Sequence, residues 1–563
     1  MNRSLSILLP LALTTFLVLK VDLKAAEAPT PPRKVPVKLF TAASAIVPAR
    51  RDAKSRGLLA QTDRYISLYN ELEEDLPARF REVSSLVNHL SRLPAACIPP
   101  VRVAGTNGRV LRINLHERGI DPSAWDRLVA NGSGRVPTPE AYHYRTFTTI
   151  EEETEEWGYP DGRGGYSKKF LKKTGKKTRV IKTTLGEFLP TKETLELATL
   201  TLTQFPLVRG DWFLYYAALE PAYSDLLGLK TSEEIDQYLG IGRKVLDDVG
   251  AITQGVVLTS EVAEHIRGLE RKPSPIRKGK GYRWDSHDYQ TSIDQDDLLA
   301  NPDNLLDAKP AAYETIFSLR NGLQGYGVFD KDLKRLNRAA INIARDKRNR
   351  FSSPEIEIRN CMACHALGIN TIEDEVRLTA RGDLAAAIDV IREKDERKAQ
   401  QLVDRFFASD IRDEVAADQA LFARAVKSCN GLDPAANALA VQNIMVRYET
   451  PLTLEELAFE TGFPVVAIRA ALANSKNVKT PGLTVNRYLF ALVGQTATTG
   501  GADHSPLASL VGRKIRRDQY ERSGHQDLMR LLLALPPGPQ PAPARPKEKP
   551  KADQPPRVKE PTP

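Results

Sequence analysis

The sequence predicts an α+β chain, with mixed helix and sheet up to about residue 330 and a mainly α-helical region beyond it. Three observations carry this. Two Asn-Gly turns, Thr106-Asn107-Gly108 and Arg320-Asn321-Gly322, each lie between strand-like runs, and such turns are the strongest short-range hairpin signal. After residue 384 the long segments place apolar residues at three- and four-residue spacings. Charged residues at 27% and hydrophobic ones at 41% belong to an ordinary globular protein, and 563 residues exceed what one core organises. More than one domain is therefore expected.

The N-terminus begins with Arg3, runs apolar from Leu5 to Val18 and reaches Ala26-Glu27-Ala28. Charge, apolar core and small-x-small site, in that order, predict a secretory signal peptide over residues 1–28. The apolar run of about 14 residues is shorter than the ~20 that span a bilayer. The mature chain is therefore expected to be periplasmic or otherwise exported, and not membrane-spanning. Pro29, Pro31, Pro32, Pro36 and Pro48 mark residues 29–50 as a mobile leader, with order expected from Arg51.

An N-terminal α+β domain is expected over 51–150. Val83, Leu86, Val87, Leu90 and Leu93 have helical spacing. Val101–Val103 and Val110–Leu115 flank the first Asn-Gly turn. Asp121-Pro122 opens a helix as N-cap and first-turn proline. A middle α+β domain follows over 151–330, entered through a charged insertion at 151–182. There an acidic run, Glu151 to Glu156, precedes the lysine-rich limb from Lys168 to Lys182. The limb offers a face for an acidic polymer or partner; the simpler reading is a solvated hairpin whose acidic and basic limbs face each other. Leu195, Ala198 and Leu202 predict one face of a helix. The second Asn-Gly turn then joins Ile316–Leu319 to Leu323–Phe329.

The motif with the clearest chemistry is Cys361-Met362-Ala363-Cys364-His365. From 4 cysteines and 8 histidines, chance gives about 0.0004 occurrences of this spacing. A thioredoxin-like pair wants a βαβ context, and a zinc site wants a second ligand pair; the sequence offers neither. The spacing is the attachment signature of a c-type haem. Cys361 and Cys364 would form thioethers to its vinyl groups, and His365 would ligate the iron as proximal ligand. One covalent haem c is expected, in a domain over 331–535.

A sixth iron ligand has two candidates: Met445, within a helical pattern 80 residues after His365, and His287, in the polar run Trp284-Asp-Ser-His-Asp-Tyr289. Helices are expected over 384–407, 416–428, 436–448 and 454–472. Thr453 and Glu456 match a capping box in a helix-turn-helix-like pattern, but an exported haem protein meets no promoter and no nucleic-acid partner is expected. Eleven prolines in residues 536–563 predict a disordered tail. Cys97 and Cys429 remain, either as a disulfide or as two buried thiols.

The motif resembles that of cytochromes c, which use it for electron transfer. Tyr65–Asn70, Asp121–Trp125, Gly210–Phe213, Ile316–Tyr326 and the haem motif together resemble a group of large exported bacterial proteins with one such motif late in the chain. That resemblance implies location and cofactor rather than a reaction. The expected function is single-electron transfer with a redox partner that the sequence leaves unnamed. The alternatives are a haem enzyme or gas or peroxide sensor with an open sixth iron position, or a glycan- or partner-binding exported protein with an accessory haem. No Gly-rich phosphate loop, Gly-x-Ser-x-Gly elbow or His-Glu-x-x-His is present to support hydrolysis or nucleotide chemistry.

Overall fold

The computed structural model describes residues 42–131, 148–157, 173–182, 191–242, 252–257, 267–289, 310–339, 355–374, 383–406, 410–436, 451–461 and 465–468, apart from Asn70 and Lys278, together with Tyr448, Arg517 and Tyr520. Helices and sheets are both present, as an α+β chain requires. The expected signal peptide and the proline-rich tail lie outside the described residues.

Helix α1, Ala42–Arg56, begins nine residues before the expected start of order, so the end of the expected leader is helical. Its small apolar side, Ala45, Ile46, Ala49 and Ala53, is buried against Tyr65, Val110, Leu197 and Leu207. Pro48 lies inside this helix and lacks the N–H that would bond the Ser44 carbonyl. Tyr69 Oη donates to that carbonyl instead, at 2.7 Å.

Strands β1 (Asp63–Ser67), β2 (Val101–Arg102), β3 (Val110–Asn114) and β6 (Leu207–Arg209) form a sheet in the order β2-β3-β1-β6. Strand β1 is antiparallel to β3 and parallel to β6. The expected boundary at residue 150 is therefore not a break in this sheet, since β6 comes from the middle segment. The turn before β3 is the predicted one, with Asn107 at φ 50° and Gly108 at φ 77°. Helix α2 is Leu76–His89, and the short α3 is Leu115–Arg118. Helix α4, Pro122–Asn131, is capped by Asp121 Oδ1, which accepts from Ser123 N at 2.9 Å.

Strands β4 (Thr148–Trp157) and β5 (Lys173–Lys182) pair antiparallel, with Glu151 opposite Arg179 and Glu153 opposite Lys177. The acidic and basic limbs thus run side by side, while Lys168, Lys169 and Lys172 lie outside the described residues. In helix α5, Thr191–Thr201, Leu197 is buried and Leu195 is 62% exposed; Leu202, one residue past the helix end at φ 50°, is 65% exposed. The expected Leu195–Leu202 face is the wrong one. The helix packs on α1 through Leu197 and Leu200, one turn-position away from the predicted stripe.

Strands β7 (Thr253–Val257), β8 (Arg267–Pro273), β9 (Tyr282–Asp288), β10 (Ala312–Ser318) and β11 (Gln324–Asp330) form an antiparallel meander in chain order. Gly322, at φ 84°, closes the predicted β10–β11 turn. Asn321 Nδ2 in that turn donates to the Asn88 carbonyl at 2.9 Å, tying the meander to α2. Gly325 has a different reason: a Cβ there would strike the Phe317 ring, which lies across β11.

Helices α6 (Gly210–Tyr216), α7 (Ala222–Leu227) and α8 (Ser232–Leu239) connect the two sheets. One apolar cluster runs from Ile66 and Leu111 through Trp125 and Phe213 to Phe317, Tyr326, Met362 and Phe422. It crosses both expected domain boundaries, so the regions share a core. Cys97 and Cys429 form a disulfide across 332 positions, with Cα atoms 5.0 Å apart.

Helix α9, Ile358–Cys364, carries the motif. The expected helix over 384–407 is two, α10 (Asp383–Lys394) and α11 (Glu396–Phe406), interrupted where Asp395 Oδ1 accepts from Lys398 N. Helix α12, Ile411–Asn430, extends the expected 416–428, capped by Asp410 and ended by Gly431 at φ 66°. Helix α13, Leu454–Thr461, opens on the predicted capping box between Thr453 and Glu456. Most of the helix expected over 436–448 lies outside the described residues. Among the described residues, no helix is long and apolar enough to cross a membrane.

Candidate functional site

Helix α9 is short, and its position is fixed by what it buries. Ile358, Cys361 and Met362, at i, i+3 and i+4, belong to the common core. At its start, Glu357 N donates to Asn360 Oδ1 at 3.0 Å, closing a capping box. Arg359, 2% exposed, pairs with Glu357 at 3.0 Å and donates from Nη1 to Tyr215 Oη at 2.9 Å. Tyr215 stacks in turn on Tyr448, with centroids 4.5 Å apart. The motif therefore sits on a rigid support rather than on a loose loop.

After Cys364 the chain reverses. His365 N donates to the Cys361 carbonyl, and Gly368, at φ 104°, returns the chain toward the His365 ring. That φ suits glycine and strains any other residue. The Gly368 carbonyl lies 3.2 Å from His365 Nδ1. A histidine whose Nδ1–H donates to a carbonyl has its tautomer and orientation fixed with Nε2 as the ligating nitrogen, the arrangement found around metal-bound imidazoles.

Cys361, Cys364 and His365 all line one cavity of about 560 Å³. That volume falls within the roughly 300–1,000 Å³ of pockets that take cofactor-sized molecules. Neither cysteine is in a disulfide. Burial, then the Glu314 carboxylate and Cys364, push the Cys361 thiol well above its ordinary range. It is held protonated, as a thiol rather than a nucleophilic thiolate.

The facing wall is one side of the β7–β10 meander. Directly opposed residues of antiparallel strands share a face. The register aligns Val257 with Arg267, Leu269 with Ser286, Ser286 with Glu314 and Trp284 with Ile316, and these side chains line the cavity. Arg267 is 5% exposed and bridges two carboxylates, Asp288 at 2.7 Å and Glu314 at 3.0 and 3.3 Å. Burial pushes the Asp288 carboxyl up to about 8, against the opposing pull of Arg267. Trp284 Nε1 donates to Asp418 of α12 at 2.8 Å, fixing the indole at the cavity edge.

The structure brings Cys361, Cys364 and His365 together at this cavity. It does not bring His287 to it. His287 occupies the alternate register position on β9, opposite Tyr313, and its ring packs edge-on against that tyrosine at 5.1 Å. The polar run is strand β9, whose alternation turns His287 to the other face of the sheet. Met445 lies outside the described residues.

Sequence reasoning missed Arg267, Asp288 and Glu314. Arg267 and Glu314 lie 47 positions apart and meet only through strand pairing. Period-2 alternation along β8 and β10 was the available signal, but it names no partner. Searches against protein-family models, curated proteins and solved structures find no match for this chain.

Proposed function

We propose that the chain is an exported c-type haem protein. One haem is joined through Cys361 and Cys364, with His365 as the proximal iron ligand, and the protein passes single electrons to a redox partner. The observation that carries this reading is that all three motif side chains line one cofactor-sized cavity. The His365 Nδ1 contact with the Gly368 carbonyl adds the orientation that an iron-bound imidazole needs.

The residues fit the group. The two thiols would add across its vinyl groups, each S–H giving its sulfur to one carbon and its hydrogen to the other. Leu269, Ile316 and Trp284 supply an apolar wall for the ring. The group itself supplies one-electron chemistry at its iron. The chain's part is to hold it, orient His365 and limit access of water through the buried sheet face.

A second reading, a haem accessible to small ligands, is favoured by the polar groups Arg267, Glu314 and Ser286 on the wall facing the motif. The experiment that tests the main reading is haem extraction. Protein made with haem-attachment machinery should keep its colour through an acid-acetone wash, and the Cys361→Ala/Cys364→Ala variant should lose it. Complete extraction from the unaltered chain refutes the covalent assignment.

A further inference from the structure

We propose that the Glu314–Arg267 pair forms a binding site for a small neutral protic molecule, H–X, of which hydrogen peroxide is the smallest oxidant. Glu314 takes the proton and Arg267 holds the anion. The inference rests on the second reading above, in which the cavity's sheet side is reached by small ligands.

Both side chains line the cavity that Cys361, Cys364 and His365 also line, and they come from the wall facing the motif. If His365 held the iron, the polar groups that the sheet contributes are among those a molecule in the cavity would meet. Leu269, Ile316 and Val257 surround them, so the pair acts among apolar neighbours where its electrostatic effect is large.

The chemistry of the pair is specific. Arg267 is buried, and its Nε lies 2.7 Å from Asp288 Oδ1, a second contact besides those to Glu314. Glu314 is held by two bonds, a 3.0 Å contact to Oε2 and a 3.3 Å contact to Oε1. Oε1 is the more weakly held oxygen and the one able to take a further proton. When H–X delivers its proton to Oε1, Glu314 becomes a neutral acid and its attraction for Arg267 weakens. The guanidinium then faces the new anion X⁻ with its charge less compensated. One proton moves, one O–H bond forms, one H–X bond breaks, and no electron is transferred. Ser286, between Leu269 and Glu314 in the register, offers a hydroxyl beside the pair and contacts Arg267 Nη1 at 3.4 Å.

A ligand with no proton to give tests the assignment. The haem-loaded full chain and its Glu314→Gln variant would be titrated with hydrogen cyanide in the ferric state and with carbon monoxide in the ferrous state, followed by absorption. Glutamine keeps the size and one acceptor oxygen but accepts no proton. The account expects hydrogen cyanide to associate at least tenfold more slowly with the variant. Carbon monoxide affinity should stay within twofold, with a shifted C–O stretching frequency reporting the altered field. Equal loss for both ligands would mean general damage to the cavity and overturns the proposal, as does no change for either. Wild-type protein that carries covalent haem but binds neither ligand also overturns it, leaving the haem assignment intact. Absence of covalent haem is a separate failure, of the functional reading itself.

Discussion

The two faces of the β7–β11 meander are built from the same strands yet solve the problem of buried charge differently. On the alternate face of the strands, Glu270, Lys272, Arg283 and Asp285 form a closed network, of which Asp285 and its partner Thr315 also reach the cavity edge. Lys272 reaches Glu270 at 2.8 Å and Asp285 at 2.6 Å, Arg283 reaches Asp285 at 2.9 Å, and Thr315 Oγ1 donates to Asp285 at 2.7 Å. Arg283 also bonds Asp236 and Ser232 of α8, which covers this side. Burial works against the charge on Asp285, but Arg283 and Lys272 hold its carboxyl well below the usual range. Two cations meet two buried anions.

On the cavity face, one guanidinium serves two carboxylates, Asp288 and Glu314, beside an open space. Among the described residues the two carboxyls share that one cation, and burial holds the Asp288 carboxyl up near 8. The difference is one of setting: the first cluster is closed by its own hydrogen bonds and fixes the sheet, while in the second two carboxyls share one guanidinium beside a cavity.

The largest effect should come from breaking the balanced face. Asp285→Ala leaves Lys272 and Arg283 buried without their shared partner, and loss of about 3–5 kcal/mol of stability is expected. Chemical denaturation measures it; a loss under about 1 kcal/mol would show that the network is not a unit.

An intermediate effect is expected at Asp288. Its folded carboxyl titrates near 8, above the unfolded value of about 4. Between those values the native state binds more protons than the unfolded one at this group, so the stability that Asp288 contributes is full below about pH 4 and is lost as pH rises toward 8. Asp288→Asn should remove that fall. Superimposable stability–pH curves for the two proteins would show that Asp288 does not titrate in this window.

Glu314→Gln should cost less than the Asp285 change, about 1–2 kcal/mol, because Arg267 keeps Asp288. A larger loss than at Asp285 would reverse the comparison. The smallest effect, about 1 kcal/mol, is expected for Thr231→Ala, which opens the capping box of α8 over the balanced face. Thermal unfolding should show a small uniform shift with the motif side untouched.

Much of the architecture was legible locally. Asn107-Gly108 and Asn321-Gly322 announced their turns, and Asp121 and Thr453 announced their helix starts, because each acts on its own neighbours. What stayed hidden depended on partners distant in sequence. The α5 stripe was misjudged because α1, which supplies its buried neighbours, lies in a segment read as leader. His287 was misjudged because an aromatic-polar run looks the same in a loop and in a strand, and only pairing with β8 and β10 turns it away from the cavity. The three motif residues were legible because they lie within five positions of one another, on and just after one short helix. The wall they face was not, since strand register alone assembles it.

The most direct test of the account is the intact mass of the denatured mature chain, read beside a pyridine haemochrome assay. The account predicts a mass increase of one haem per chain, with the matching haemochrome, both lost in the Cys361→Ala/Cys364→Ala variant. A chain of unmodified mass, produced alongside a control cytochrome c that acquires its haem, would contradict it.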